Sequence, residues 1–177
     1  MSAQIIDNRN LALRAIQEYL PENPVTCEIG FFRGAFSKVI VATLKPKLHI
    51  VIDTFSAPRM ISGDKDGKNI QYQDMRSMEQ YSKSLGYKTI KGTSDKLHNI
   101  SRFIDFIYID ADHSYDWVLK DLNNARHRVK SGIIAGHDYC PVKFKGCYDA
   151  VNEFCKTHNL DISIVTNDGC PSYFIKV

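Results

Sequence analysis

Long apolar runs are missing from this sequence. No stretch approaches the roughly 18 consecutive apolar residues that a membrane span needs. The N-terminal segment, MSAQIIDNRN, also lacks the basic stretch and apolar core of a secretory signal. Repeats, low-complexity segments and linkers are absent as well. We therefore expect a soluble, cytoplasmic protein with no membrane partner.

Cysteine is sparse and shows no pattern. The five cysteines are an odd number, and they form neither a C-x-x-C pair nor a zinc-type arrangement with histidine. A cytosolic chain of this kind keeps its thiols reduced. We predict no disulfide among Cys27, Cys140, Cys147, Cys155 and Cys170.

An excess of charge of either sign is also lacking. Lys and Arg number 23 and Asp and Glu 20, which leaves a formal net charge of +3 with both signs interspersed. The longest basic cluster, Lys143-Phe144-Lys145, is too short to follow a nucleic-acid backbone. We therefore expect a small-molecule partner rather than a nucleic acid, and the sequence leaves the oligomeric state open.

The hydrophobic pattern indicates an α/β fold. With 177 residues, 44% of them hydrophobic, the chain has the size of one domain, 1–177. Apolar runs of strand length alternate with segments of helical period, which is typical of βαβ units and a largely parallel sheet. Strands are predicted at 25–29, 48–52, 87–90, 103–109, 132–135, 162–165 and 172–177, and helices at 13–20, 36–44, 75–85, 115–129 and 147–154. The last two strands should form a hairpin, and 54–69 should be a long connection.

A glycine-containing turn follows the first predicted strand. The segment Glu28-Ile-Gly30-Phe-Phe-Arg-Gly34 leads into a helix, and such turns bring backbone amides and a helix N-terminus close to a nucleotide. The middle glycine of a dinucleotide fingerprint is missing, so an ordinary strand-to-helix turn remains an alternative. Asp53 ends the second strand 23 residues after Gly30, where a carboxylate binds a ribose diol. Together the two features predict a nucleoside site.

Two further strand ends carry acids and histidines. Asp110, Asp112 and His113 follow the fourth predicted strand, and His137 and Asp138 follow the fifth. Ligands of doubly wound sheets bind outside the carboxyl ends of the strands. We expect these side chains to meet in one crevice, although Asp112 and His113 would also suit the first turn of the following helix.

Several segments, taken in order, carry a resemblance to a known family. They are Glu28-Ile-Gly-x-x-x-Gly34-x-Phe36-Ser37, Tyr108-Ile-Asp110-x-Asp112-His113-Ser-Tyr115, Asp121-Leu122, Ser131-Gly132-Ile-Ile-x-Gly-His137-Asp138-Tyr139 and Phe144-x-Gly146-Cys-x-x-Ala150-Val151-x-Glu153-Phe154. In them the chain resembles the class I S-adenosylmethionine-dependent methyltransferases, and most of all methyltransferase family 24, over about 25–154. The resemblance implies a Rossmann-like three-layer sandwich with a mostly parallel seven-stranded sheet whose last strand is antiparallel.

The resemblance also implies the cofactor, S-adenosyl-L-methionine, and its contacts. The turn at Gly30 would approach the methionine part, Asp53 the ribose hydroxyls, and Gly92-Thr93-Ser94 the adenine. Phe31 and Phe32 would cover the cofactor, although strand-end aromatics also suit the core. The implied cofactor contacts are Glu28, Gly30, Phe31, Phe32, Gly34, Ser37, Asp53, Thr54, Ser94, Asp110, Asp112 and His113.

Methyl transfer to a hydroxyl requires an in-line arrangement of three atoms and removal of the hydroxyl proton. We predict His113 as the general base. Related sugar and catechol O-methyltransferases hold Mg²⁺ with carboxylates from these strand ends, and the resemblance assigns that catalytic role here to Asp110 and Asp138. Their pattern continues with Asn or a second acid, whereas Asp138 precedes Tyr139, so dependence on Mg²⁺ is left open.

The acceptor and two other functions are the remaining hypotheses. His137, Tyr139 and Tyr72 are predicted substrate contacts, and 60–73 is the predicted wall of the acceptor site for a sugar or another small molecule. The polar residues there would also suit a solvated loop; they are Asp64, Asp66 and Asn69. Trp117 is interpreted as a packing residue. A nicotinamide-dependent oxidoreductase and a cofactor-binding protein without catalysis are the alternative functions.

Overall fold

The structure is a computed structural model that describes residues 3–56, 59–62 and 71–177, with the backbone alone at 59–62 and 71–73. Its strands, in chain order, are β1 (Gln4–Ile6), β2 (Val25–Ile29), β3 (Leu48–Asp53), β4 (Arg59–Ser62), β5 (Gln71–Gln73), β6 (Lys88–Lys91), β7 (Phe106–Ile109), β8 (Ile133–Gly136), β9 (Ile162–Thr166) and β10 (Tyr173–Lys176). Eight of them form one sheet in the order β1-β9-β10-β8-β7-β2-β3-β6.

Helices connect most of these strands. They are α1 (Arg9–Ala15), α2 (Ala35–Leu44), α3 (Met75–Ser84), α4 (Tyr115–Arg126) and α5 (Lys145–His158), with 3-10 helices at Ile16–Tyr19 and Ser94–Asn99. Each predicted helix is confirmed within a few residues of its expected ends. Among the described residues, no helix is long and apolar enough to cross a membrane.

The sheet is covered on both faces. In β7, Phe106 and Tyr108 pack with α1 and α2, whereas Ile107 and Ile109 point to the face covered by α4 and α5. Strands buried on both faces are apolar without alternation, which explains the continuous hydrophobic runs in the sequence. The predicted three-layer α/β sandwich is therefore confirmed.

The strand count differs from the expected seven. The additional strand, β1, pairs in parallel with β9 at the edge of the sheet, with Gln4 opposite Ile164. It has only three residues, and Ile5 is 65% exposed. A strand so short and so exposed leaves no hydrophobic pattern in the sequence, so it was not predicted.

Two predicted segments differ from the structure in their extent. The segment 54–69 was predicted as a continuous connection, but β4 lies within it and pairs with β5 as an antiparallel hairpin. The fourth predicted strand begins at Phe106 rather than at Phe103, because Ile104 donates its backbone N–H to Arg128. Asp105, next to the start of the strand, donates its backbone N–H to the carbonyl of Val25 at 2.9 Å, and its carboxylate accepts the N–H of Val25 at 2.7 Å.

The predicted C-terminal hairpin is confirmed. Strand β10 runs antiparallel to β9 and to β8, between which it lies, and Tyr173 stands opposite Gly136. It is the expected antiparallel last strand of an otherwise parallel main sheet. All five cysteines are free thiols.

The strand order of the main sheet reverses between β2 and β7, which lie side by side. From β2 the chain proceeds through β3 to β6 on one side, and from β7 to β8 on the other. Carboxyl ends of parallel strands at such a point form a crevice that binds ligands. The ends of β2 and β7 lie so close together here that a Cβ added at Gly30 would be 2.0 Å from the carbonyl oxygen of Asp110.

Candidate functional site

A cavity of about 440 Å³ opens at the carboxyl ends of β2, β3, β6 and β7. Its volume lies within the range of sites for small ligands and cofactors. We call it the strand-end cleft. Its lining residues are Ile29, Gly30, Ile52, Asp53, Thr54, Gly92, Thr93, Ser94, Ala111, Asp112, Trp117 and Asp121. Five of the predicted cofactor contacts are among them, namely Gly30, Asp53, Thr54, Ser94 and Asp112.

The glycine turn at the cleft is held by Asp53. One carboxylate oxygen of Asp53 accepts backbone N–H groups from Phe31 at 2.8 Å and from Phe32 at 3.4 Å, and the other accepts that of Phe55 at 2.8 Å. Gly30 has φ +93°, a conformation that side chains disfavour. Asp53 therefore both lines the cleft and holds the turns after β2 and β3.

The other end of the cleft is formed by α4 and the 3-10 helix at Ser94–Asn99. Trp117 and Asp121 lie one turn apart on α4, and both line the cleft. Burial raises the pKa of Asp121 to about 6, although a hydrogen bond with Ser94 opposes that shift. Asn124 also donates to the hydroxyl of Ser94 at 2.9 Å. The interpretation of Trp117 as a packing residue was wrong, because its side chain is 41% exposed and faces this cavity.

Several predicted cofactor contacts lie behind the turn rather than in the cleft. Ser37 donates its hydroxyl to the buried carboxyl of Glu28, and His49 Nε2 is 3.1 Å from the same hydroxyl. Burial raises the pKa of Glu28 to about 8, so this group is mostly neutral at pH 7. Direct contacts of Glu28 and Ser37 with a cofactor stay predictions.

The aromatic residues of the turn also separate. Phe31 is buried against Phe55, at 6.2 Å between ring centroids, whereas Phe32 is 41% exposed. A Cβ added at Gly34 would lie 2.3 Å from the ring of Phe31, so glycine is required at that position. The core alternative therefore holds for Phe31, and neither ring lines the cleft as the structure stands.

A second group of polar side chains lies at the ends of β7 and β8. We call Arg9, Asp110, His113, His137 and Asp138 the charged cluster. His137 Nδ1 is 3.2 Å from Asp138 Oδ1 and 3.9 Å from Asp110 Oδ1. His113 Nδ1 is 3.2 Å from Asp138 Oδ2. The expectation that these two strand ends meet is confirmed, but the cluster lies beside the strand-end cleft and not within its lining.

Burial and charge act in opposite directions on this cluster. Burial lowers the pKa of His137, but its hydrogen bond with Asp138 and the charge of Asp110 outweigh that effect and raise it. Burial alone would raise the pKa of Asp138, yet the bond to His137 lowers it. For Asp110, burial dominates and raises the pKa. The contact between His137 and Asp138 thus favours the protonated imidazole and the ionised carboxylate.

The donor set at the two strand ends fits a divalent metal ion. One ligand atom each of Asp110, His137 and Asp138 lies within 4.8 Å of the others. The predicted carboxylate pair is therefore joined by an imidazole, which suits Mn²⁺ or Zn²⁺ better than Mg²⁺, an ion that prefers oxygen ligands.

The remaining predicted contacts are placed differently. The hydroxyl of Tyr139 donates to Asn152 on α5 at 3.0 Å, and its ring stands 4.7 Å from that of Tyr148. Tyr139 therefore packs toward α5 in this structure. The side chain of Tyr72, and the predicted acceptor wall at 60–73 with Asp64, Asp66 and Asn69, lie outside the residues described in full.

Asp112 both holds the turn before α4 and lines the strand-end cleft, while its contact with a cofactor stays a prediction. Its carboxylate accepts the backbone N–H of Ser114 at 2.8 Å, just before α4, and the residue also lines the strand-end cleft. Sequence reasoning missed Arg9, which lies far from the motifs, and gave no cleft role to Asp121. Asp121 belongs to a segment that carried the resemblance, so a signal for it was present; Arg9 had none.

Comparison with known proteins agrees with this geometry. The doubly wound sheet, the glycine turn and the acid at the end of β3 define a nucleoside-binding fold of the class I methyltransferase type. A family model described as a methyltransferase domain, that of methyltransferase family 24, matches residues 27–139. The chain belongs to this family of S-adenosylmethionine-dependent methyltransferases. Membership sets aside the nicotinamide-dependent oxidoreductase.

Solved structures share the fold at low identity. A proposed methyltransferase from Streptococcus mutans in complex with SAH is 12% identical, with a TM-score of 0.65 over 97% of this chain and 99% of that one. A proposed caffeoyl-CoA O-methyltransferase from Staphylococcus aureus is 16% identical, with 0.62 over 99% and 86%. An rRNA methylase from Streptococcus thermophilus is 14% identical, with 0.62 over 97% and 98%. A search of curated protein sequences found no match.

Proposed function

We propose that the chain methylates a hydroxyl of a small molecule, with His113 as the general base. The observation that carries this proposal is the contact between His113 Nδ1 and Asp138 Oδ2 at 3.2 Å, beside the strand-end cleft. A histidine whose second nitrogen is free and whose first is oriented by a carboxylate is the usual arrangement of a general base.

The strand-end cleft is the proposed cofactor site. S-adenosylmethionine supplies an electrophilic methyl group on a sulfonium. Asp53, which lines the cleft, would accept the ribose hydroxyls, and the turn at Gly30 would present its backbone to the methionine part. Trp117 offers an aromatic face for the adenine, and Ser94 and Asp121 lie at the same end with polar atoms for its ring nitrogens and amine.

His113 suits the base better than its neighbour His137. The side chain of His113 is 39% exposed, and its ring packs 5.1 Å from that of Phe144, which limits its rotation. His137 is 19% exposed and has a raised pKa, because Asp138 and Asp110 stabilise its protonated form. His137 instead stands between the carboxylates of Asp110 and Asp138, where its neutral imidazole would serve as a metal ligand.

A metal ion is the second part of this proposal. Asp110, His137 and Asp138 would hold it, and it would lower the pKa of the acceptor hydroxyl and so weaken its O–H bond. A chelator separates the two forms of the proposal. It should lower turnover if a metal ion assists methyl transfer, and it should leave turnover unchanged if His113 activates the hydroxyl without a metal.

The proposed acceptor is a small hydroxyl compound, with a sugar as the first class to test. The net charge of +3, with both signs interspersed along the sequence, favours a small molecule over a nucleic acid. The similar structures include an O-methyltransferase of a small molecule and an rRNA methylase, and the low identity to both shows only the shared fold. An RNA acceptor therefore belongs in the test panel.

The first experiment is calorimetric titration with S-adenosylhomocysteine, without metal and then with Mg²⁺ or Mn²⁺. Micromolar binding supports the cofactor site, and no binding in any condition contradicts it. Transfer of a labelled methyl group to sugars, phenols and RNA follows, with and without chelator. Tight binding without transfer to any acceptor would favour the alternative of a cofactor-binding protein that lacks catalysis.

A further inference from the structure

Arg9 reaches the charged cluster from the other end of the chain. It is the first residue of α1 and lies outside residues 27–139, which match the family model. One terminal nitrogen of its guanidinium is 3.6 Å from Asp110 Oδ2 and 3.5 Å from the hydroxyl of Tyr108. A segment outside the matched domain thus contributes a permanent positive charge to the proposed site of catalysis.

The position of Arg9 is determined from both ends of its side chain. At its backbone, the Asn8 side chain accepts the N–H groups of Asn10 and Leu11, each at 3.1 Å, which caps α1. At its tip, the guanidinium carbon stands 4.2 Å over the ring of Phe36. Stacking on an aromatic face restricts a guanidinium to one plane.

The partner of Arg9 is itself fixed. Tyr108 is fully buried in β7, its ring lies 4.3 Å from that of Phe36, and its hydroxyl is 2.9 Å from the hydroxyl of Ser172. The guanidinium therefore meets a rigid surface formed by α2, β7 and the residue that precedes β10. A side chain held in this way can orient a carboxylate.

The two carboxylates of the charged cluster have parallel arrangements. In each, Oδ1 faces His137 Nδ1, at 3.9 Å from Asp110 and 3.2 Å from Asp138. In each, Oδ2 has a separate nitrogen partner, which is Arg9 for Asp110 at 3.6 Å and His113 for Asp138 at 3.2 Å. Arg9 thus contacts Oδ2 of Asp110 as His113 contacts Oδ2 of Asp138. Unlike the histidine, the arginine exchanges no proton near neutral pH.

The geometry points to Arg9 as a positioning residue for methyl transfer, which acts by holding Asp110 Oδ2 so that Oδ1 faces His137 beside the strand-end cleft. This inference rests on the proposed function, because its main effect is on turnover. Without Arg9, the Asp110 carboxylate loses the partner of Oδ2 and becomes free to rotate. A lysine retains the charge but neither the planar shape nor the fixed stacking.

The test compares Arg9→Met and Arg9→Lys with Arg14→Met, in which an exposed arginine of the same helix is replaced. We expect Arg9→Met to lower kcat at least tenfold, Arg9→Lys to restore part of that loss, and Arg14→Met to match the unmodified protein. The Kd of S-adenosylhomocysteine should change less than threefold in all three. A purely structural role for Arg9 predicts instead a lower melting temperature with unchanged kcat, and that result would overturn the inference.

A second measurement separates this inference from the proposed function. Crystal structures of the unmodified protein and of Arg9→Met, each with S-adenosylhomocysteine, report the orientation of Asp110 whether or not an acceptor is known. Rotation of the Asp110 carboxylate away from His137 in the variant supports the inference even if no hydroxyl is methylated. An unchanged carboxylate contradicts it even if the enzyme proves to be an O-methyltransferase.

Discussion

The strand-end cleft and the charged cluster lie at neighbouring strand ends but are built from different materials. The cleft combines a glycine turn, whose backbone amides bond to Asp53, with a mixed lining of side chains such as Ile52, Trp117 and Thr93. The charged cluster consists of ionisable side chains that contact one another at 3.2 to 3.9 Å. Backbone geometry thus shapes the first region, and side-chain electrostatics shapes the second.

This difference suggests a separation of tasks. A site that combines backbone groups, apolar side chains and a few fixed polar groups recognises the shape of a nucleoside. A cluster with two histidines and two carboxylates can move a proton or hold a cation. Variants of the cleft should therefore change cofactor affinity, and variants of the cluster should change turnover.

The largest effect is expected for His113→Ala, which tests the cluster. Turnover should fall about a hundredfold or more, because general base catalysis contributes roughly 10²–10⁴-fold, while the Kd of S-adenosylhomocysteine should stay within about threefold. Steady-state kinetics and calorimetry measure the two quantities. His127→Ala, a change of an exposed histidine after α4, is the control. Full activity of the His113 variant would move the base to another residue, with His137 as the next to test.

Asp53→Ala should show the opposite split. It removes the acceptor for the amides of Phe31 and Phe55 and the proposed acceptor for the ribose hydroxyls, so the Kd of S-adenosylhomocysteine should rise about tenfold or more. Turnover at saturating cofactor should fall much less. Asp53→Asn, which keeps one acceptor oxygen, should raise this Kd less than Asp53→Ala does. A variant that binds the cofactor normally would show that Asp53 holds the turns without touching the ligand.

Trp117→Ala tests the adenine end of the cleft with a smaller effect. Loss of an aromatic stacking partner costs about 1 kcal/mol, or roughly fivefold in the Kd of S-adenosylhomocysteine. Trp117→Phe, which keeps a ring, should lose less than half of that free energy. If both variants bind as the unmodified protein does, Trp117 lines the cavity without contributing to binding.

Glu28→Gln should have the smallest effect on catalysis and a measurable effect on stability. The folded-state pKa of Glu28 is raised to about 8 from 4.5, mainly by burial. Its stabilising contribution is therefore complete below pH 4.5 and is lost as the pH rises toward 8, at a rate of up to about 1.4 kcal/mol per pH unit. Urea unfolding between pH 5 and 8.5 measures this slope. The Gln variant should show a flatter slope. Identical slopes in the two proteins would show that a group other than Glu28 causes the pH dependence.

The sequence predicted the parallel core of the fold because its signals are local. An apolar run bounded by turn residues identifies β2, β3 and β8 without knowledge of their neighbours. Strand β1 carries no such signal, since it has three residues and its place depends on pairing with the distant β9. The seven-strand expectation failed for that reason.

The site was predictable where it follows directly from a strand end. Asp53, Asp110 and Asp138 each stand at or just after the last residue of a strand, so the sheet brings them to one edge. Trp117 and Arg9 lie on helices instead. Which side of a helix meets the cleft depends on how that helix packs, and the spacing of apolar residues does not reveal it.

The sequence by itself thus determined the order of the core strands and helices, the parallel sheet and the edge on which its acids stand, because hydrophobic period and turn residues act over a few neighbouring positions. Only the tertiary structure decided that His137 stands between two carboxylates, that Trp117 faces the cleft, and that Arg9 reaches Asp110. Those contacts join segments far apart in the chain. They depend on distances set by the packing of whole elements, for which no local pattern exists.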